Sequence, residues 1–284
     1  MGLGSKIKAI IMMTRPLNSF MTGLAVVFAF LVNNNYMFNT HTCLIGFLTG
    51  FLVSSASMLI NDYVDLEADK INKPWKPLPQ GLVSPVTVLT LSLVLLTIAI
   101  LINLLISQIA FFTVLVLSII AYSYSFMRRY WWSHFMVSIG TTAPFIYGYV
   151  LAGLPREYLL FNICFIVVIF LINSAREFTK SITDIAGDKK LGYSTIAIKY
   201  GEKNAAKAAL IFSIIGTIIA VVLGVMGYAS IIYTIMLGIA GLWFTANAFK
   251  VYINPNKEVA HKAKNNMIKA MLLALIGYLL SRIQ

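Results

Sequence analysis

The chain alternates long apolar stretches, which contain no Asp, Glu, Lys or Arg, with short polar segments. A helix that crosses the hydrocarbon core of a bilayer needs about 20 apolar residues. Three of the stretches are long enough for two such helices each. They extend from Arg15 to Asp62, from Lys76 to Arg128 and from Lys207 to Lys250. Neutral polar residues near positions 33–41, 103–108 and 224–230 divide these stretches, which predicts three helical hairpins.

Three shorter apolar stretches, at residues 130–155, 158–175 and 265–282, are each long enough for one helix. The pattern therefore predicts an all-α polytopic membrane protein with nine transmembrane helices. No separate soluble domain is indicated. We expect residues 1–284 to form a single transmembrane domain.

The composition agrees with this pattern, because only 11% of the residues are charged and 59% are hydrophobic. A soluble domain carries charge on about a quarter of its residues, so an ordinary soluble protein is excluded. Cytoplasmic loops of membrane proteins are enriched in Lys and Arg. With a cytoplasmic N-terminus, every Lys and Arg except Arg156 and Arg282 falls on the cytoplasmic side of a cell membrane. The net charge of +12 then indicates contact with membrane lipids and no nucleic-acid partner.

The acidic residues are concentrated in two short segments at the predicted cytoplasmic ends of the second and sixth transmembrane helices. Residues four apart lie on one face of a helix. Two such stripes are present: Asn61, Asp65 and Asp69 in the first segment, and Asp184 and Asp188 in the second. Mg²⁺ is usually bound by one or two carboxylates together with the phosphates of a substrate. Two facing stripes could therefore hold a diphosphate through Mg²⁺. The alternative for the first stripe is a solvated loop of paired Asp and Lys, and for the second it is a plain polar loop that Gly187 and Gly192 would suit.

Basic residues accompany the acids. Lys73 and Lys76 follow the first stripe in a proline-stiffened segment, and Lys180 precedes the second stripe by one helical turn. Arg128 and Arg129 end the fourth predicted helix. Each cation alone could be a topogenic or headgroup charge. Together on one side of the membrane they predict an electropositive site.

These motifs resemble the UbiA superfamily of intramembrane prenyltransferases. The resemblance covers nearly the whole chain. It is carried by Arg15-Pro16-x-Asn18, Asn61-Asp62-x-x-Asp65-x-x-x-Asp69, the Lys73-Pro74 and Lys76-Pro77 pairs, the Tyr-Ser motif around Tyr124 that ends in Arg128, and Asp184-x-x-Gly187-Asp188. The chain departs from the family in two places. Lys73 and Lys76 stand where arginines are frequent, and Ser181 and Thr183 stand where acids are frequent.

The resemblance implies nine helices around a central cavity that is open laterally to lipid, with the active site toward the cytoplasm. It implies Mg²⁺ as the cofactor and a prenyl diphosphate as the donor. The implied metal-binding residues are Asn61, Asp65, Asp69, Asp184 and Asp188, of which Asp65 and Asp184 are expected to be catalytic together with Lys180. The implied substrate-binding residues are Arg15, Asn18, Lys73, Lys76, Tyr124, Arg128, Lys180 and Lys189. Asp62 lies one position off the first stripe, so we expect it to act behind the ligands.

Family members prenylate either aromatic rings or the hydroxyl of a glycerol ether phosphate in archaeal lipid synthesis. The compact length and the Arg176-Glu177-x-x-Lys180 segment resemble the ether-lipid branch. The expected reaction is therefore geranylgeranyl transfer to the free hydroxyl of geranylgeranylglyceryl phosphate, a lipid-like acceptor. Prenylation of an aromatic acceptor such as 4-hydroxybenzoate is the alternative. A secondary transporter would have its acids near the bilayer midplane, and a lipid-binding scaffold would need no paired metal stripes.

Overall fold

The computed structural model describes residues 3–127 and 130–283. These ranges are mainly helical and contain no β-strand, which confirms the all-α prediction. The helices are α1 (Leu3–Met13), α2 (Pro16–Asn33), α3 (Thr40–Val64), α4 (Leu66–Asn72), α5 (Pro85–Leu101), α6 (Gln108–Met127), α7 (Ser133–Leu151), α8 (Leu159–Lys190), α9 (Ile196–Tyr200), α10 (Glu202–Val225), α11 (Ile231–Ile253) and α12 (Lys257–Leu279). Short 3₁₀ helices cover Ile102–Leu105 and Arg156–Tyr158.

Within the described ranges, a long helix occupies the place of each of the nine helices predicted from the apolar stretches. Seven of them are long and apolar enough to cross a membrane by length and composition: α2, α3, α5, α6, α8, α10 and α11. The other two long helices, α7 and α12, are more polar. Pro144 lies inside α7, and α12 contains Lys257, Lys262, Lys264 and Lys269. The protein is therefore an integral membrane protein with seven candidate spans.

Helix α8 is longer than its apolar stretch predicted. It contains 32 residues, which correspond to about 48 Å of helix. The hydrocarbon core of a bilayer is about 30 Å thick. Because one end of α8 consists of polar residues from Arg176 to Lys190, the helix carries the second acidic motif without a break out of the apolar layer.

Local sequence signals fix where the other long helices begin. The side chains of Asn39, Ser84, Ser230 and Asn256 each accept a hydrogen bond from a backbone N–H in the first turn of α3, α5, α11 and α12, respectively. Such caps satisfy amide groups that have no partner within the helix. The turns before α3 and α11 are two of the predicted hairpin breaks.

The long helices form a closed ring in which most neighbours in the chain are also neighbours in space. Helix α8 packs against α7, α10 and α12, and α2 packs against both α3 and α7. The approach of α2 to α7 requires a glycine. A Cβ added at Gly148 would lie 2.7 Å from the carbonyl oxygen of Val26. The ring therefore closes tightly at this point.

The two ends of the bundle differ. We call the end that holds Asp62, Asp69 and Glu177 the motif end, and the end that holds Asn33 and Asn162 the distal end. At the distal end the two asparagine side chains donate to each other, at 2.6 and 3.2 Å. They connect α2 to α8 inside the core, where both are buried.

The segment after α12 is also held at the distal end. The Arg282 guanidinium stacks on the rings of Tyr158 and Phe161, 4.0 and 4.5 Å from their centroids. The Tyr36 hydroxyl donates to the carbonyl of Leu279 at 2.7 Å. Burial raises the pKa of Tyr36, so this hydroxyl keeps its proton. These contacts join α12 to the hairpin between α2 and α3.

Candidate active site

The first acidic motif lies at a break between two helices. Helix α3 ends at Val64, Asp65 forms its C-cap, and α4 begins at Leu66. The predicted stripe of Asn61, Asp65 and Asp69 therefore spans a junction between two helices and does not lie on one continuous helix. Backbone hydrogen bonds from Asp65 to Asn61 and from Asp69 to Asp65, at 3.0 and 2.7 Å, still keep these residues one turn apart.

Two buried carboxylates of this motif share one cation. The Lys76 ammonium donates to Asp62 at 2.9 Å and to Asp69 at 2.5 Å. Arg15 adds a contact of 3.6 Å to Asp62, and Lys73 adds one of 3.6 Å to Asp69. Asp62 is 5% exposed and lies at the centre of this group. Its position off the first stripe predicts a place behind the ligands, whereas its burial and its pairing with Lys76 put it among the charged groups.

The first motif also contacts α6. The Ser125 hydroxyl donates to the Asn61 side-chain oxygen at 2.6 Å. Ser125 follows Tyr124, a predicted substrate-binding residue that lines the central cavity. Asp65 is buried at the same end of the bundle. The Tyr-Ser motif and the first acidic motif are therefore adjacent in space.

Next to the second acidic motif lies a buried glutamate that is not among the predicted site residues. Glu177 is 3% exposed and accepts hydrogen bonds from Arg176 at 2.8 Å and from Lys180 at 3.2 Å. The sequence feature that could have indicated Glu177 is the Arg-Glu-x-x-Lys segment, in which the acid stands between two basic residues. Because a buried charge requires a partner, this cluster fixes one carboxylate and two cations on one turn of α8.

Asp184 and Asp188 follow on the same helix and are both half-buried. The Thr183 hydroxyl donates to Asp184 at 2.8 Å, and the ammonium of Lys264 on α12 donates to the Thr183 oxygen at 3.2 Å. The charges of Glu177, Asp184 and Asp188 all act on Tyr124 of α6. The acids of the second motif therefore lie near Tyr124, which is adjacent to the residue that contacts the first motif.

Two predicted site residues among those described are not part of these contacts. The side chains of Asn18 and Lys189 are exposed. Arg128 lies outside the described residues, as does its neighbour Arg129. A role in substrate binding stays a prediction for Asn18, Lys189 and Arg128.

The described residues contain no group of three or more His, Cys, Asp or Glu side chains that alone could hold a metal ion. Mg²⁺ does not need such a group, because it usually keeps several waters and takes phosphate oxygens as ligands. Asp62 and Asp69 already hold one cation, the ammonium of Lys76, between their oxygens. A pair of carboxylates that shares a cation, with further acids on α8, fits a magnesium–diphosphate site.

A cavity of about 540 Å³ extends from this charged region into the bundle. Asn61, Tyr124 and Arg176 line it at the motif end, and the rest of its wall is mostly apolar. On α3 the lining runs from Asn61 to Thr49, a depth of about 18 Å at the helical rise. A long apolar chain can therefore lie inside the bundle while its polar head stays among the charges.

Helices α2 and α12 form one side of this cavity. Near the distal end they meet, where the Asn33 side chain lies 3.4 Å from the Tyr278 hydroxyl. Toward the motif end the lining includes Met21 on α2 and Ile268 and Leu272 on α12. Ile268 and Leu272 are 40% and 44% exposed. The cavity wall is therefore partly exposed along this side.

The fold and the site together define a membrane-embedded protein with an apolar cavity and paired charges at one end. The sequence model of the UbiA prenyltransferase family matches residues 22–276 of this chain. The chain is 32% identical over 268 residues to the digeranylgeranylglyceryl phosphate synthase of Methanosphaera stadtmanae, covering 93% of this chain and 95% of that protein. It is 33% identical over 280 residues to the synthase of the same name from Thermococcus sibiricus, covering 98% of each.

Solved structures show the same fold. A structure from work on digeranylgeranylglyceryl phosphate synthase in membranes has a TM-score of 0.81 at 24% identity, covering 97% of this chain and 98% of that chain. A UbiA homolog from Archaeoglobus fulgidus bound to GPP and Mg²⁺ has a TM-score of 0.74 at 16% identity, covering 95% and 99%. The chain belongs to the UbiA prenyltransferase family. It is a prenyltransferase that resembles the digeranylgeranylglyceryl phosphate synthases along nearly its whole length.

Proposed function

We propose that this enzyme transfers a geranylgeranyl group from its diphosphate to the free hydroxyl of geranylgeranylglyceryl phosphate, in the synthesis of archaeal ether lipids. The observation that carries the proposal is the group of cation-paired carboxylates at the mouth of a deep apolar cavity. The names of the two relatives support the choice of this acceptor.

The donor diphosphate would bind among Arg15, Lys73 and Lys76. In the free protein these cations pair with Asp62 and Asp69. A diphosphate is a stronger competitor for them, because each charge-assisted bond to a phosphate oxygen replaces a contact to a carboxylate. The carboxylates that lose a cation are then free to accept another.

Mg²⁺ is the cation that would replace them. The residues that would hold it are Asn61, Asp65 and Asp69 on one side and Asp184 and Asp188 on the other, with Asp62 added by its contacts. When bound, Mg²⁺ supplies charge that stabilises the departing diphosphate. Asp65 and Asp184 are the catalytic ligands of this proposal, and Lys180 stabilises the same departing charge from α8.

The remaining steps belong to the cavity and the acceptor. The C–O bond between the geranylgeranyl C1 and the diphosphate breaks, and the apolar wall excludes water from the resulting allylic cation. The acceptor hydroxyl oxygen bonds to C1, which forms an ether, and its proton goes to the released diphosphate. The ring of Tyr124, at the charged end of the cavity, can interact favourably with the cation.

The proposal includes the membrane arrangement. The chain acts as one transmembrane domain in the cell membrane, with α7 and α12 as spans in addition to the seven apolar helices. Both helices line the cavity. Part of their surface therefore faces the protein interior, and they need less apolar surface toward lipid than a single isolated transmembrane helix. The distribution of Lys and Arg supports a cytoplasmic N-terminus and a motif end that faces the cytoplasm.

The acceptor is tested with purified protein and radiolabelled geranylgeranyl diphosphate in the presence of Mg²⁺. We expect a labelled diether phosphate with geranylgeranylglyceryl phosphate and no product with 4-hydroxybenzoate. Product from the aromatic acid alone would replace the ether-lipid function with the aromatic alternative.

A further inference from the structure

One cation at the motif end lacks a carboxylate partner. Lys264 is half-buried, and its ammonium donates to the Thr183 hydroxyl oxygen at 3.2 Å. Among the described residues it forms no ion pair with Asp or Glu within 4.0 Å. The other cations described at the site do form such pairs: Arg15, Lys73, Lys76, Arg176 and Lys180. Lys264 therefore lies near the acids of α8 without a direct ion pair among the described residues.

Lys264 lies at the mouth of the cavity. It is one helical turn before Ile268 on α12, and residues four apart share a face of the helix. Ile268 lines the cavity, as do Leu272 and Leu275 on the same side of the helix. The face of α12 that forms the apolar wall thus ends in a lysine at the motif end.

The neighbourhood of Lys264 is basic on the α8 side as well. Arg176 lines the cavity, and its Nε is buried without a hydrogen-bond partner. Glu177 already accepts hydrogen bonds from both Arg176 and Lys180. A partly desolvated cation without a counterion is unfavourable, and an anion that binds beside it relieves that cost.

We propose that Lys264, together with Arg176, binds the phosphate group of the lipid acceptor. This inference rests on the proposed function and specifies where that substrate is held. The donor diphosphate would use the cations around α3 and α4, whereas the acceptor phosphate would be bound between α8 and α12. The acceptor chain would lie along the α12 face that includes Leu272 and Leu275.

The arrangement explains why two phosphate-bearing substrates do not compete for one site. The cations on the α3 and α4 side are anchored by Asp62 and Asp69. Within residues 3–127 and 130–283, Lys264 donates to the neutral hydroxyl of Thr183, which itself donates to Asp184. The acceptor phosphate would therefore be held one residue from a proposed catalytic ligand, which places its glycerol hydroxyl near the reacting carbon.

The test is equilibrium binding of geranylgeranylglyceryl phosphate to detergent-solubilised protein without donor. We expect Lys264→Ala to weaken binding roughly tenfold to a hundredfold, as the loss of a charge-assisted bond implies. Lys264→Arg should keep affinity within about threefold, because the charge is retained. Lys262→Ala is the matched control on the same helix, since Lys262 is 73% exposed and pairs with Glu258, and it should bind like the wild type.

Two further ligands make the test specific. Geranylgeranylglycerol, which lacks the phosphate, should bind equally to the wild type and to Lys264→Ala. Geranylgeranyl diphosphate should also bind equally to both. Unchanged affinity of Lys264→Ala for the acceptor, or an equal loss for either of these ligands, would overturn the inference. So would equal competition by an anionic phospholipid without a free hydroxyl, since that result identifies a general headgroup site.

Turnover of the wild type is measured separately. Wild-type protein that binds the acceptor through Lys264 but forms no ether product would refute the proposed function and leave the phosphate site standing. If the wild type synthesises the ether and Lys264→Ala binds the acceptor with unaltered affinity, the proposed function stands and the phosphate site at Lys264 is refuted.

Discussion

The two ends of the bundle both contain buried polar side chains, but of different kinds. At the distal end the amides of Asn33 and Asn162 donate to each other. At the motif end, Asp62 and Asp69 depend on Lys76, a cation from a separate segment of the chain. The distal pair is neutral and its amides also donate to the carbonyls of Ala29 and Tyr158, whereas the charged group can exchange one cation for another.

This difference separates stability from function. A satisfied amide pair inside the core contributes to folding and has no reason to rearrange. Buried carboxylates held by mobile lysines add little net stability, because the desolvation cost offsets most of the attraction. We therefore expect substitutions at the motif end to change catalysis most, and substitutions at the distal end to change stability most.

The largest expected effect is at Asp65. Asp65→Ala should lower kcat at least about 100-fold, as the loss of a group that stabilises transition-state charge does. The melting temperature in detergent should remain close to that of the wild type. Glu67→Ala is the control, because Glu67 is an exposed acid on α4. Comparable activity of the Asp65 and Glu67 variants would remove Asp65 from the site.

Lys76 should affect both properties. Lys76→Gln leaves Asp62 and Asp69 close together without their shared cation, so we expect a lower melting temperature and roughly a tenfold higher KM for the prenyl diphosphate. Added Mg²⁺ should restore part of the melting temperature, because it can occupy the same carboxylates. Lys70→Ala, which breaks only an exposed pair with Glu67, should change neither value. Melting without any response to Mg²⁺ would argue against a metal at these two carboxylates.

At the distal end the expectation is reversed. Asn162→Ala leaves the buried Asn33 amide without its reciprocal partner, which should cost about 1–3 kcal/mol of stability. We expect kcat to stay within about twofold of the wild type. Thermal unfolding and steady-state kinetics on the same preparation measure both. A large loss of kcat with normal melting would show that the distal end takes part in catalysis.

The smallest effect should come from the exposed pair of Glu258 and Lys262. Both side chains are more than 70% exposed, and such pairs contribute little because water screens them. Lys262→Ala should melt at the wild-type temperature and keep the wild-type kcat. A measurable drop in the melting temperature or in kcat would indicate that Lys262 makes a further contact that is absent from the structure of the free protein.

The sequence predicted the helices well because apolar stretches of membrane length have few alternatives to the helix. It did not predict how far α8 extends, because charged and polar residues predominate from Arg176 to Lys190. Phe178, Ile182 and Ile185 recur at helical spacing within this segment and pack into the core. The polar character of α7 and α12 has a related origin. Both helices line the cavity, so their composition reflects the interior of the protein as well as the lipid.

The motifs of the site could also be read from the sequence, but their partners could not. A helical face predicted the stripe of Asn61, Asp65 and Asp69, and the break at Asp65 changes which acids are paired. Asp62 meets Lys76 because the chain turns back after α4. Lys264 meets Thr183 across 81 positions of sequence. Contacts of this kind depend on tertiary packing, which no local spacing encodes.

The central claim is that the carboxylates of the motif end hold Mg²⁺ while a prenyl diphosphate ionises. The most direct measurement is the rate of diphosphate release from geranylgeranyl diphosphate and acceptor, with Mg²⁺ varied from zero to saturation, for the wild type and for Asp65→Ala. We predict release that rises with Mg²⁺ in the wild type and stays near background in the variant. Wild-type release that is independent of Mg²⁺, or equal release by both proteins, would contradict the account.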